Sequence, residues 1–281
     1  MIRSAPIALA LALAAGSLGS GCARAAAEPT AAEVVARNAE ARGGLDAWRK
    51  IDTMVWVGRV ESARAPVPDL RFALEQKRPN KTRLEIHALG QESVRIFDGA
   101  HGWKARPSRG RPELEPYSPE ELRFAQAGPG IDGPLIDSAA RGSTVTLASL
   151  DRIGERKAYH LRVHTAGGGD EDVWVDAETW LDLRYDRTAE GPLGAQRRVS
   201  ITYGDYRTVD GVKLPFRIET GGGPMADKMQ LETVVLNLRL DDSTFESPTG
   251  RPRTRERPGA AVQADVAAPT ANAEREAPAP R

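Results

Sequence analysis

The feature that most constrains the fold of this chain is a run of short segments, over residues 52–239, in which apolar and polar side chains alternate. Turn-forming residues interrupt the run about every ten residues, which is typical of antiparallel β-structure. The clearest hairpin joins Val199–Tyr203 to Val212–Ile218, because Asp210 and Gly211 between them supply the two positive φ angles of a type I′ turn. The pattern predicts a mainly β protein with a few helices, in the α+β class.

The first 27 residues are typical of an export signal. Arg3 precedes an apolar stretch from Ala5 to Leu18 that is too short to span a bilayer as a helix. Two outcomes of processing stay open. Cys22 follows small residues and is a candidate for lipidation, which would anchor the mature chain at the outer membrane. Cleavage among the alanines of residues 23–27 would instead leave a soluble periplasmic protein.

Cysteine use fits either outcome. Cys22 is the single cysteine of the chain, so the mature protein keeps no free thiol, as suits an oxidising compartment. We therefore expect neither disulfides nor cysteine catalysis.

The composition changes again after the last predicted strand. From Ser247 to Arg281 the chain consists largely of Pro, Ala, Arg, Glu and Thr, with almost no large apolar side chain. Such a segment buries too little apolar surface to offset the entropy of ordering it. We expect a signal peptide at 1–27, one folded domain at 28–246 and a disordered tail at 247–281.

The charge balance argues against one class of partner. The chain carries 39 basic and 39 acidic residues, for a net charge of +0. A nucleic-acid-binding domain normally has a basic surplus on its surface. We therefore expect no nucleic-acid partner.

Helices are predicted at two places. Thr30-Ala31-Ala32-Glu33 matches a capping box, and Gly43-Gly44 is a typical end for the helix that follows it. The strand pattern stops between Arg111 and Arg141. There, Ser118-Pro119-Glu120-Glu121 has the cap, the proline and the acidic first turn of a second helix.

The number of strands determines how much space the sheet encloses. A closed barrel of eight strands is filled by its own side chains, whereas the alternation here predicts about 10–11 strands. We therefore expect a curved, half-open antiparallel β-barrel with an α-helical lid, drawn from the N-terminal helix and the insertion at 112–140. Two arrangements stay open: an apolar pocket under a displaceable lid, or helices that fill the interior.

Large apolar side chains on the predicted strands are the candidates for lining such a pocket. For any single aromatic residue among them an ordinary core position is favoured, since aromatic residues dominate protein interiors, but as a group they would line the inward face. The candidates are Trp56, Phe72, Leu74, Ile86, Phe97, Trp103 and Phe216.

Five strings of residues, in this order and spacing, have the pattern of a known family: Ala41–Trp48, Lys77–Glu85, Phe97–Trp103, Ile131–Asp137 and Tyr203–Pro215. They resemble the outer-membrane lipoprotein-sorting superfamily, the LolA/LolB-like periplasmic proteins. The resemblance implies a half-open β-barrel with a helical lid and a hydrophobic cavity for acyl chains. It identifies no ligand-binding residues in this chain.

Signals for catalysis and metal binding are weak. His160 and His164 are four residues apart, which on a strand separates them by about 13 Å, too far to share one metal ion. The acids after Gly167-Gly168-Gly169 lack the spacing of an EF-hand loop, and no Gly-x-Ser-x-Gly elbow occurs. We expect no catalytic residue, no metal and no cofactor.

Together these observations predict a non-catalytic envelope protein that binds a lipid or an acylated lipoprotein, with a membrane-bound protein as a further candidate partner. Binding would come from burial of acyl chains, at about 0.8 kcal/mol per methylene. Outer-membrane lipoprotein sorting and lipid transport both fit this interpretation. The alternative is an envelope sensor or scaffold that uses the same fold for protein–protein contacts.

Overall fold

The computed structural model describes residues 28–63, 65, 67, 70–105, 114–190, 196–221 and 226–247. The predicted signal peptide, Cys22 and the tail after Ser247 lie outside the described residues. None of the described helices is long and apolar enough to cross a membrane.

Thirteen strands of the described residues form one antiparallel sheet. They are β1 (Thr53–Glu61), β2 (Leu70–Lys77), β3 (Lys81–Ala88), β4 (Gln91–Phe97), β5 (Gly102–Ala105), β6 (Leu114–Pro116), β7 (Thr144–Ile153), β8 (Arg156–His164), β9 (Asp170–Asp176), β10 (Asp182–Glu190), β11 (Gln196–Val209), β12 (Val212–Thr220) and β13 (Asp227–Leu236). Their order across the sheet is β6-β5-β4-β3-β2-β1-β13-β12-β11-β10-β9-β8-β7.

The first and last strands of the series, β1 and β13, are neighbours in the middle of the sheet. The two strands that flank the central insertion, β6 and β7, are its outer edges and do not pair within the described part of the chain. The sheet is therefore open, and the predicted half-open antiparallel barrel is confirmed. The strand count exceeds the predicted 10–11 partly because β6 has only three residues, too few to show alternation.

Local signals correctly placed the helices that begin after Thr30 and Ser118, and the clearest turn. The helices are α1 (Ala31–Ala41), α2 (Leu45–Arg49) and α3 (Pro119–Gln126), and a 3₁₀ turn follows β13 at Asp242–Thr244. Thr30 and Ser118 cap α1 and α3 with complete capping boxes. Asp210 and Gly211, with φ of 46° and 87°, form the turn between β11 and β12.

Two apolar clusters cover one face of the sheet, which we call the inner face. Buried side chains of β1, β2, β12 and β13 pack with Trp48 of α2 in the first cluster. In the second, Val34 of α1 packs with buried side chains of β8, β9 and β10. The two N-terminal helices thus lie against the inner face and define the interior of the half-barrel.

A third cluster lies on the opposite, outer face. Val55 of β1 and Ile96 of β4 pack there with Leu240 and Phe245, which flank the 3₁₀ turn. The Nζ of Lys77 also donates a hydrogen bond of 2.8 Å to the Leu240 carbonyl oxygen. At this end the sheet is therefore apolar on both faces.

Candidate functional site

A cavity of about 500 Å³ lies between the inner face and residues 118–142, which we call the lid segment. Its volume falls in the range of small-molecule pockets, roughly 300–1,000 Å³. The helices therefore leave the interior partly open. Apolar side chains from the sheet and α2 form much of the wall: Trp48, Trp56, Leu74, Leu84, Leu214 and Pro215. The lid segment adds Phe124, Pro129, Ile131 and Pro134.

Two of the predicted pocket residues line this cavity. Trp56 of β1 and Leu74 of β2 are directly opposite each other in the register of the two strands, so their side chains share the inner face. Phe72, Ile86 and Phe216 lie in the adjoining inner cluster, outside the cavity wall. Phe97 is buried at the end of β4 and also stands outside the wall.

Trp103 lies on the other side of the sheet. In the pairing of β4 with β5 it is opposite Ile96, and it packs with the outer-face cluster that includes Leu240 and Phe245. Its side chain points away from the cavity because its register with Ile96 places it on the outer face, where the segment after β13 covers it. Trp103 therefore lies outside the wall of this cavity, as Phe72, Ile86, Phe97 and Phe216 do.

The sequence interpretation missed a polar part of the wall, built where α1 meets β10 and β11. Arg42 Nη1 lies 3.2 Å from Asp182 Oδ2, and both side chains are almost fully buried. The amide of Asn38 donates a 2.9 Å hydrogen bond to the other carboxylate oxygen of Asp182. Tyr206 donates its hydroxyl to the Asp182 carbonyl oxygen at 2.9 Å, and Tyr203 lines the same cavity.

Burial governs the ionisation of this polar wall. It raises the pKa of Asp182, against the opposing effects of Arg42 and Asn38. Burial also raises the pKa of Tyr203, as does the charge of Asp182, while Arg42 and Arg187 act in the opposite direction. Both tyrosines keep their protons at neutral pH. The Tyr206 hydroxyl donates its proton to the Asp182 carbonyl oxygen, which leaves the Tyr203 hydroxyl as the donor for the cavity.

The first half of the lid segment is held by polar contacts. None of the side chains of α3 is buried. Glu121 accepts hydrogen bonds of 2.8 Å from Lys104 Nζ and 3.0 Å from Arg95 Nη2. Burial alone would raise the pKa of Glu121, but the bonds from Lys104, the Ser118 backbone and Arg95 outweigh it and lower the pKa to about 2.

The second half of the lid segment is anchored by burial. Ile131, Leu135 and Ile136 are all buried among residues of the core. Arg78 Nη2 also donates a 2.6 Å hydrogen bond to Asp132 Oδ1. Residues 131–138 are therefore fixed to the barrel much more firmly than α3 is.

The histidines are distributed as separate pairs with carboxylates. His160 Nε2 lies 2.7 Å from Asp172 Oδ1, and His164 Nδ1 lies 2.8 Å from Asp170 Oδ1. Across the described ranges, no group of three His, Cys, Asp or Glu side chains could hold a metal ion. The cavity itself is therefore the candidate site.

Solved structures share this architecture. A putative outer membrane lipoprotein-sorting protein domain from Vibrio parahaemolyticus is 10% identical, over 76% of this chain and 94% of that chain, with a TM-score of 0.50. A LolA superfamily protein from Nitrosomonas europaea is 14% identical, over 78% of this chain and 98% of that chain, with a TM-score of 0.49. No protein-family model matches the chain, and no curated protein matches it by sequence. The chain thus has the fold of a lipoprotein-sorting domain, which confirms at the level of architecture the resemblance found in its sequence.

Proposed function

We propose that this protein is a non-catalytic envelope protein that binds a lipid, or the acyl chains of a lipoprotein, in the cavity under the lid segment. Its role would lie in outer-membrane lipoprotein sorting or in lipid transport. The observation that carries the proposal is an apolar cavity closed by a helix that buries none of its own side chains.

The apolar wall supplies enough binding energy for such a ligand. Each methylene removed from water contributes about 0.8 kcal/mol, so ten buried methylenes contribute about 8 kcal/mol. That value corresponds to a dissociation constant of about 1 μM, before the entropy lost on association is subtracted. No covalent chemistry is required, because burial alone provides the affinity.

The lid segment suggests how a ligand enters and leaves. The polar attachments of helix α3 are made by Glu121, by Arg187, and by the side chain of Asn80, whose amide lies 3.3 Å from the Ala125 carbonyl oxygen. Water can replace such contacts at small cost, whereas withdrawing Leu135 and Ile136 from the core would expose two fully buried side chains. In this proposal α3 lifts and residues 131–138 remain in place.

The proposed location is the periplasm. The export signal predicted at residues 1–27 supports it, and the two predicted outcomes at Cys22, lipid anchor or removal, are both compatible with a role in lipid transfer. An anchored form would suit an acceptor at the outer membrane, and a free form would suit a shuttle.

Native mass spectrometry with lipid extraction, on the mature chain isolated from its own envelope, tests the proposal. We expect a separable lipid bound to the folded chain, and the mass of the N-terminal peptide will show whether Cys22 is acylated. A ligand-free mass that persists after lipid is added would overturn lipid binding. The envelope sensor or scaffold would then become the leading interpretation.

A further inference from the structure

The cavity wall contains a buried positive charge that has no carboxylate partner among the described residues. Arg187 of β10 is only 9% exposed, and its guanidinium lies 3.8 Å from the centroid of the Phe124 ring in α3. Its Nη1 reaches the carbonyl oxygens of Phe124 and Ala127 at 3.5 and 3.4 Å, longer than the usual hydrogen bond of roughly 2.7–3.2 Å. Its Nε has no hydrogen-bond partner among the described residues.

The neighbouring acids are already engaged elsewhere. Asp182 is paired with Arg42 and also accepts a hydrogen bond from Asn38. Glu171 is the cross-strand neighbour of Arg187 and interacts with its charge at a distance, while its carboxylate accepts a 2.7 Å hydrogen bond from the Tyr185 hydroxyl. Within the part of the chain that the structure describes, no carboxylate lies within ion-pair distance of Arg187.

Such an arrangement calls for a partner from outside the chain. Buried charges in proteins are normally paired and hydrogen-bonded, because desolvation of an unpaired charge is costly. A guanidinium presents a planar fork of N–H donors that matches a carboxylate or a phosphate. Arg187 lines the cavity and meets only a ring face and two distant carbonyls there, so its guanidinium is the candidate group for binding an anion.

Other polar atoms of the wall are also unsatisfied. Trp56 Nε1 and Gln76 Oε1 are buried without a hydrogen-bond partner among the described residues, and both side chains line the cavity. The Tyr203 hydroxyl belongs to the same wall as Arg187. A purely hydrocarbon ligand would leave the Trp56 and Gln76 groups unpaired.

We propose that the cavity binds an amphiphile with an anionic headgroup, a carboxylate or a phosphate, which is held by Arg187 and the Tyr203 hydroxyl while the acyl chain lies against Trp56 and Leu74. This inference rests on the proposed function and adds the chemical class of the ligand. The anion would replace the two long bonds between Arg187 and the lid carbonyls.

The test compares ligands that share a chain and differ only in the headgroup. Decanoate, decyl phosphate and decanol are titrated into the delipidated mature chain by isothermal calorimetry. We expect both anionic ligands to bind about ten- to a hundredfold more tightly than decanol, the range for a hydrogen bond to a charged group. Inorganic phosphate alone should bind far more weakly than decyl phosphate, since it lacks the chain.

Two variants separate recognition of the headgroup from general effects. Arg187→Gln removes the charge and should lower the affinity for decanoate to about that for decanol, with little change for decanol itself. Arg162→Gln is the matched control, because Arg162 is an exposed arginine of β8, and it should bind as the unmodified chain does. Arg187→Lys keeps the charge but loses the fork, and should keep only part of the preference.

The outcomes distinguish failure of the headgroup site from failure of acyl-chain binding itself. Equal affinity for decanoate, decyl phosphate and decanol would overturn the headgroup site and leave acyl-chain binding intact. Failure of all three to bind would overturn the proposed function and this inference with it. If inorganic phosphate binds as tightly as decyl phosphate, the site recognises a free anion, and the proposal that the ligand is an amphiphile is overturned. The comparison in the unmodified chain does not depend on the folding of any variant.

Discussion

Arg78 and Asp132, 54 residues apart in the sequence, are joined by a 2.6 Å hydrogen bond between Nη2 and Oδ1. The same guanidinium donates to the carbonyl oxygens of Ile51, at 2.6 Å, and Trp48, at 3.1 Å. One side chain at the end of β2 therefore connects the lid segment with the residues around α2. The buried half of the lid segment depends on this connection.

Replacement of Asp132 by asparagine should destabilise the fold. Asp132 is 7% exposed, and the change leaves the charge of Arg78 without its carboxylate in a half-buried position. We expect the free energy of unfolding to fall by about 2–3 kcal/mol, below the loss for a fully buried pair. Urea denaturation of the two proteins measures the difference.

Asp137→Asn is the matched control, because it makes the same chemical change in the same segment. Its partner Arg49 has a side chain that is 53% exposed, and exposed ion pairs contribute little. The stability of this variant should be close to that of the unmodified chain. An equal loss in both variants would contradict a specific role for the Arg78–Asp132 pair.

The contacts of Glu121 should make the attachment of α3 sensitive to acid. Its pKa is lowered from 4.5 to about 2, so the folded state favours the carboxylate. The stabilisation is fully present above pH 4.5 and is lost as the pH falls toward about 2. The difference in unfolding free energy between the unmodified chain and Glu121→Gln should therefore shrink over this interval. A difference that stays constant would contradict the assignment.

The turn between β11 and β12 packs tightly against the end of α1. A Cβ on Gly43 would lie 2.3 Å from the Gly211 carbonyl oxygen, and the φ of Gly43 is 109°. Gly43→Ala should lower the free energy of unfolding by about 2–3 kcal/mol, through strain and displacement of the turn. Gly90→Ala is the control, since Gly90 has a φ of 74° and nothing within 4 Å of the added Cβ. It should lose only about 1 kcal/mol, and equal losses in thermal or urea unfolding would argue against the close contact.

Features that depend on a few consecutive residues were predictable from the sequence. Thr30 and Ser118 cap their helices through contacts with residues three positions later, and Asp210-Gly211 forms a turn from its own φ angles. Alternation likewise indicated most strands of the sheet. These signals could be read because they need no information about distant parts of the chain.

The cavity wall was only partly predictable, because which residues line it depends on which strands pair. Asp182 and Arg187 come from a strand with a register irregularity between Asp182 and Arg184, which breaks the alternation that would have revealed its faces. For Trp103, alternation separates the two faces of the strand without saying which one is inward. The segment around Leu240 and Phe245 makes the outer face apolar too.

The row Trp56, Leu74 and Leu84, which crosses β1, β2 and β3 along the cavity wall, gives the most direct test of the proposed function. Leu74→Trp would fill the cavity with its own side chain and should weaken binding of decanoate at least tenfold. The cost in stability should stay within the range for overpacking, about 1–3 kcal/mol. Arg71→Trp is the control, because Arg71 is exposed on the opposite face of β2 and its replacement should leave binding unchanged. If calorimetry shows that Leu74→Trp binds as well as the unmodified chain, the acyl chain must lie elsewhere.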